Sequence, residues 1–115
     1  MNDQEVQQIR ISNDMAKESI ADAQALDRLR KNADFKRLIE QRYFKDEAIR
    51  LVRLLGDSTQ QDEMTQKNIN LDMQAVSRLS DFFRTVYAKA DWATQAIENN
   101  DAELAAMHAE EQAGE

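Results

Sequence analysis

Residues 69–97, INLDMQAVSRLSDFFRTVYAKADWATQAI, carry the pattern that decides the fold. Their apolar side chains share one heptad register, in which Asp72 is the only polar member. We call this set the seam, and it comprises Ile69, Val76, Leu79, Phe83, Val86, Ala90, Ala93 and Ile97. Four consecutive heptads predict a long helix with coiled-coil-like packing. Phe82 and Tyr87 flank the seam and widen it toward a bundle face, so we expect it to be the main protein interface.

This third helix is predicted over residues 59–98. Ser58 and Gln61 fit a capping box at its start, where the two side chains satisfy free backbone amides. The stretch Asn99-Asn100-Asp101 either ends the helix and caps a short fourth one or is part of a longer helix. The pattern leaves this open for the acidic C-terminal segment, residues 99–115.

A second helix is predicted over residues 34–56, with Asn32 or Asp34 as its N-cap. Gly56 stands where a left-handed residue often ends a helix. The apolar stripe of this helix changes phase near Tyr43, which indicates a kink or a break before Asp46. The stripe consists of Phe35, Leu38, Ile39, Tyr43, Ala48, Leu51, Val52 and Leu55.

An N-terminal helical arm is predicted over residues 4–32. Its weak seam consists of Val6, Ile9, Ala16, Ile20 and Ala23, and Asn13 occupies the skipped position. A polar residue there can fix register and partner number at a cost in stability. The alternative is a half-exposed helix without a partner.

These elements predict an all-α fold, a long helical hairpin or three-helix bundle, in one domain over residues 1–115. The chain has no proline and two glycines, too few turn residues for many short strands. Ile, Leu, Val and Phe total 24 of 115 residues, close to the lower limit of about 20% for a folded chain. So thin a core favours helices that pack on a partner.

The residue types exclude most catalytic and metal-binding chemistry. There is no cysteine and one histidine, His108. Three pairs of adjacent carboxylates, Asp46-Glu47, Asp62-Glu63 and Glu110-Glu111, fall on helix faces or at caps rather than in a cleft. His108 and Glu111 are one turn apart, but two ligands do not make a metal site. We expect no enzyme, no catalytic residue, no metal and no cofactor, and no apolar run is long enough for a membrane span.

Charge is unevenly distributed along the chain. Residues 26–56 carry a net charge of +4, whereas residues 91–115 carry −7 and no basic residue. The basic cluster, a candidate charged contact, consists of Arg28, Arg30, Lys31, Lys36 and Arg37. It either contacts nucleic-acid phosphates or pairs with acidic residues of the same or a neighbouring protein. We favour pairing, because Asp27, Asp34 and Glu40 interrupt the cluster. The acidic end is either a solvating tail or part of a surface that imitates DNA, and Trp92 beside the seam is a candidate contact.

The segment Leu26–Leu55, LDRLRKNADFKRLIEQRYFKDEAIRLVRLL, resembles small all-helical proteins of tailed bacteriophages. The matching parts are an L-x-R-L-x-x-N-x-D-F core, a following Y-F-K-D-E-A-x-R-L-V run and the stretch FFRTV at residues 82–86. Such genes tend to lie near virion morphogenesis genes. The resemblance therefore implies a role in head, connector or tail assembly, and it brings no activity with it.

We therefore expect a non-enzymatic helical assembly or interaction protein, a structural or morphogenesis component of a tailed-phage virion. Its partners are expected to be proteins, either further copies of itself or a larger virion assembly, in the host cytoplasm or the virion, and it is not expected to be secreted. The alternative is an acidic phage-encoded inhibitor that imitates DNA and binds a host nucleic-acid enzyme. Salt separates the two, because a charge-driven complex weakens with salt and an apolar one does not.

Overall fold

The computed structural model describes residues 3–114, and these residues are almost entirely helical. Helix α1 spans Asp3–Lys31 and is followed by a short turn of helix, α2, over Ala33–Phe35. A π-helical segment, Lys36–Glu47, leads into α3, Ala48–Leu55. Helix α4 spans Glu63–Ala113. No strand occurs within residues 3–114, and the predicted all-α fold is confirmed.

The chain divides into two compact units. The terminal unit comprises residues 3–25 of α1 and residues 85–114, most of which belong to α4. The central unit comprises residues 26–84. The single domain expected over residues 1–115 stays a prediction.

In the terminal unit, α1 and α4 lie antiparallel. Asn13 of α1 contacts Asn100 of α4. Ser19 comes later in α1, and it lies across a surface groove from Lys89, which comes earlier in α4. The inward side of α1 follows the predicted weak seam, since Ile9, Ala16 and Ala23 are buried and Val6 and Ile20 are half-buried. Three of the four buried residues of this unit are alanines, so the two helices approach closely but bury little apolar area.

The central unit has an aromatic core. The ring of Phe83 in α4 lies 5.9 Å from Phe35 and 5.7 Å, edge to face, from Phe44 in the π-helical segment. Such ring pairs add to the stabilisation that burial provides. Leu51 of α3 is the most deeply buried side chain, with 1% of its surface exposed.

The π-helical segment explains the phase change in the second apolar stripe. Hydrogen bonds from i to i+5 widen each turn, so inward positions recur every four to five residues instead of every three to four. Phe35, Ile39, Phe44 and Ala48 accordingly face inward. Three residues assigned to the stripe are exposed instead: Leu38 of the π-helical segment at 59%, and Val52 and Leu55 of α3 at 57% and 36%. The wide turns replace the predicted kink.

The helix ends agree with the expectation at Asn32 and differ from it at Gly56. Asn32 is the N-cap of α2, and its side chain accepts hydrogen bonds from the amides of Asp34 and Phe35. Gly56 follows the end of α3 but has φ −94° and ψ 0°, so the predicted left-handed conformation is wrong.

The start of α4 is set by Asp62 and not by the predicted capping box at Ser58. The Asp62 carboxylate accepts from the backbone amide and the hydroxyl of Thr65 at 3.0 and 2.8 Å, which is N-cap geometry. Gln61 turns back instead and donates to the carbonyl of Leu55 at 3.2 Å. The helix therefore begins at Glu63 and not at residue 59.

Helix α4 is continuous through Asn99-Asn100-Asp101 and ends at Ala113. The half-buried Asn100 is bonded to α1 there, which gives these polar residues a role inside a helix. No separate fourth helix follows residue 98.

Candidate interaction surface

The eight seam residues all pack within the chain. Ile69, Val76, Leu79 and Phe83 belong to the central unit, and the others to the terminal unit. Ile69 and Ala93 are buried and the remaining six are half-buried. Because the chain covers most of this surface itself, a partner has less of it to contact than the sequence suggested. That the seam is an interface between proteins stays a prediction.

The largest exposed aromatic surface lies beside the seam. Trp92 is 83% exposed, in agreement with its position next to the inward face of α4. Ile11 and Met15 of α1 are 51% and 66% exposed. Together with small residues of both helices they line an open groove of about 460 Å³ in the terminal unit. We call it the terminal groove, and its apolar lining consists of Ile11, Met15, Ala16, Trp92, Ala93 and Ala96.

Charge is segregated on the α1 side of the terminal groove. Ile11, Met15, Glu18 and Asp22 follow one another at spacings of four, three and four, so they share one face of the helix. Glu18 and Asp22 are exposed. The two basic residues of the first 25, Arg10 and Lys17, fall on the opposite flank of α1 by the same periodicity, so the α1 rim of the groove is acidic.

The α4 side of the groove is mixed. Lys89 lines it directly, while Glu103 follows Trp92 and Ala96 on the same face of the helix. Over its described residues the terminal unit contains eleven acidic and three basic residues, a net charge of −8. The central unit contains ten acidic and twelve basic residues, a net charge of +2.

One member of the basic cluster has an acidic partner in the chain. Nε of Arg30 donates to Glu40 in the π-helical segment at 2.8 Å. This is the type of pairing that the sequence favoured. Arg28, Lys31, Lys36 and Arg37 are exposed around it.

Two of the three carboxylate pairs have structural partners, although Asp46 also lines an open pocket of about 480 Å³ beside Ile49 and Arg53. Asp46 accepts from Arg42 at 3.0 Å, and Glu47 binds both guanidinium nitrogens that Arg50 presents to it. The hydrogen bonds from Arg50 lower the pKa of Glu47. Hydrogen bonds from the hydroxyl and amide of Thr65 likewise lower the pKa of Asp62.

The structure offers no metal centre among residues 3–114, where no group of three His, Asp or Glu side chains could hold an ion. His108 contacts Gln112, one turn away, at 3.2 Å between the two Nε2 atoms. Within the same described part of the chain, every helix is too short or too polar to cross a membrane.

Comparisons with protein-family models, with curated proteins and with solved structures find no match to this chain. The resemblance of Leu26–Leu55 to tailed-phage proteins stays a prediction.

The sequence pointed to Trp92 but not to the other half of the groove. Ile11 and Met15 lie outside the heptad register of α1, so the heptad pattern does not select them. Their spacing of four residues, on the flank that also carries Glu18, was the available signal. An apolar pair outside the register of an otherwise polar arm indicates a second contact face.

Proposed function

We propose that this protein is a non-enzymatic helical assembly protein that holds a protein partner in its terminal groove. The observation that supports the proposal is the exposure of Trp92 beside Ile11 and Met15. Apolar clusters of this kind on a folded chain are typical of contact sites, and tryptophan is among the residues that contribute most to protein binding.

The setting of this role is part of the proposal. The resemblance of Leu26–Leu55 to small helical proteins of tailed phages supports a structural or morphogenesis component of the head, connector or tail. On that basis the partner is a virion protein or a further copy of this chain.

The acidic end of α4 favours a second candidate, the inhibitor that imitates DNA. Beyond Trp92, helix α4 carries exposed carboxylates and no basic residue; they are Glu98, Asp101, Glu103, Glu110 and Glu111. A nucleic-acid enzyme presents a basic surface that would fit them. The basic central unit counts against this candidate, because a mimic needs carboxylates over most of its surface.

Site-specific photo-crosslinking in cells that express the protein tests the proposal. A photoreactive amino acid replaces Trp92 in one variant and the exposed Thr94, on the opposite side of α4, in the control. We expect a protein adduct from position 92 and little from position 94. A virion protein or a second copy in the adduct supports assembly, whereas a host nucleic-acid enzyme supports the inhibitor. Equal labelling from both positions, or none from position 92, would contradict the groove as a contact site.

A further inference from the structure

We infer that one side of the π-helical segment binds the phosphate backbone of a nucleic acid. The residues that make this contact are Lys36, Arg37 and Lys45, and we call them the cationic row. The row lies in the central unit, whereas the terminal groove lies in the terminal unit. The inference therefore goes beyond the proposed function and adds a second binding surface to the chain.

The wide turns place Lys36 and Lys45 on one side of the segment. They are nine residues apart, which is about two and a half turns of an ordinary helix and would put the two side chains on opposite sides. The preceding residues Phe35 and Phe44 are also nine residues apart, and their rings both contact Phe83, at 5.9 and 5.7 Å. A spacing of nine residues therefore returns to the same side here, because hydrogen bonds from i to i+5 widen each turn.

Each carboxylate of the π-helical segment is engaged by an arginine. The three pairs are Arg30–Glu40, Arg42–Asp46 and Arg50–Glu47. Within residues 3–114, the exposed side chains of Lys36, Arg37 and Lys45 make no hydrogen bond or ion pair. The pairing therefore neutralises the negative charge of the segment, including that of Glu40, and leaves three positive charges in solvent.

The last turn of α1 adds to this positive potential. Arg30 of that turn reaches Glu40, so the end of α1 lies beside the π-helical segment. Arg28 and Lys31 of the same turn are exposed, while the nearby Asp34 reduces the potential without cancelling it. A polyanion is therefore attracted to this part of the chain and repelled by the terminal unit, whose net charge is −8.

The make-up of the row favours a nucleic acid over an acidic protein. Between Lys36 and Lys45, the same side of the segment carries only the polar Glu40 and Gln41. The exposed Leu38 lies almost half a wide turn away from Lys36. Protein interfaces have a core in which charged residues are depleted, whereas lysine and arginine bind the phosphates of a nucleic acid without an apolar contact.

The row ends where α3 begins. Beyond Lys45 the surface has mixed charge, because Asp46 and Asp57 line an open pocket there together with Arg50 and Arg53. We therefore place the contact on the π-helical segment and not on α3.

Fluorescence anisotropy of a short labelled DNA duplex, and of one of its strands alone, tests the inference on the full chain. Binding should weaken steeply as salt rises, because phosphate contacts release counterions. Lys36→Gln and Lys45→Gln should each reduce the slope of log K against log salt by about one. The double variant should bind at least about tenfold more weakly than the wild type at low salt. Binding of either form of DNA supports the inference, and the tighter of the two is the preferred form.

Two kinds of control separate the row from net charge. Lys67→Gln makes the same charge change at an exposed position of the same unit, on α4, where Lys67 lines a different groove. Lys36→Arg and Lys45→Arg keep the charge of the row. All three should bind like the wild type, and circular dichroism checks that each variant is helical.

Three results would overturn the inference. These are no binding of either DNA at the lowest salt, a double variant that binds no more weakly than Lys67→Gln, and competition by poly-glutamate that equals competition by DNA at the same total charge. The last result would assign the row to an acidic protein. Crosslinking at position 92 judges the proposed function separately, since it probes the other unit of the chain, and either proposal can fail while the other stands.

Discussion

Asn13 of α1 and Asn100 of α4 are joined by a side-chain hydrogen bond of 2.9 Å, in which Nδ2 of Asn100 donates to Oδ1 of Asn13. Asn100 also lies 3.2 Å from the Ser12 hydroxyl, and Nδ2 of Asn13 donates to Asp101 at 3.4 Å. Both asparagines are half-buried between apolar seam positions. Because a shift of either helix would break this pair, it fixes the register of α1 on α4 within the terminal unit.

A double-mutant cycle measures this pairing. Asn13→Ala and Asn100→Ala should each lower the free energy of unfolding, and the double variant should lose less than the sum of the two. We expect a coupling of about 0.5–1.5 kcal/mol, the usual net value of one hydrogen bond. Urea unfolding followed by circular dichroism gives the four values. Asn99→Ala at the exposed neighbouring position is the control, and strict additivity of the pair would show that the two side chains act independently.

Phe83 should be far more important for stability than its neighbour Phe82. Phe83 contacts the rings of Phe35 and Phe44, whereas Phe82 is 60% exposed. Phe83→Ala should cost about 2–4 kcal/mol, slightly below the range for fully buried rings, and Phe82→Ala no more than about 0.5–1 kcal/mol. Phe83→Asp places a charge among the rings and should unfold the central unit. Similar unfolding midpoints for the two alanine variants would contradict this aromatic core.

The N-cap of α4 should make stability depend on acid. The pKa of Asp62 is lower in the folded chain than its ordinary value, because the hydroxyl and the amide of Thr65 donate to the ionised carboxylate. Its contribution is therefore present above the unfolded pKa of about 4 and is lost as pH falls through the lower folded value. Asp62→Ala should lower the melting temperature at neutral pH and reduce the further decrease in melting temperature as the pH falls below about 4. Glu63→Ala leaves the cap in place and should show the same decrease as the wild type. Equal pH profiles for Asp62→Ala and the wild type would contradict the cap.

Gly56 should tolerate a side chain, contrary to what its sequence position suggests. Its φ is negative, and a Cβ added there meets nothing within 4 Å. Gly56→Ala should stabilise the protein by about 0.4–1 kcal/mol, since it lowers the entropy of the unfolded chain without strain in the folded one. Thermal and urea unfolding provide the measurement. A loss of similar size would show that the residue adopts a left-handed conformation in solution.

The heptad pattern predicted the fold well where helices follow the ordinary period. In α1 and α4 the inward residues, from Ile9 to Ala23 and from Ile69 to Ile97, are those that the period of three and four residues selects. The prediction was wrong at Leu38, because the period itself changes in the π-helical segment, and it was also wrong at Val52 and Leu55, which are exposed on α3. Helix propensity offers no signal for a change of period.

For a related reason, the sequence predicted only the Trp92 side of the candidate site. Periodicity identifies what a helix buries, so it ranked the seam first and treated Ile11 and Met15 as surface. Whether two exposed apolar positions belong to one groove depends on how α1 and α4 align. That alignment follows from Asn13 and Asn100, which are 87 positions apart in the chain.

The wide turns of Lys36–Glu47 also affect how the chain would respond to the loss of a residue in this segment. In α4, loss of one residue rotates everything beyond it by about 100° and turns the buried face outward. Within the wide turns, the same loss can be absorbed by winding them more tightly, which brings the segment closer to an ordinary helix. Between Phe35 and Leu51, therefore, a deletion need not misalign the residues on either side. Among the helical segments, this is therefore the one in which we expect the loss of a single residue to be absorbed most readily.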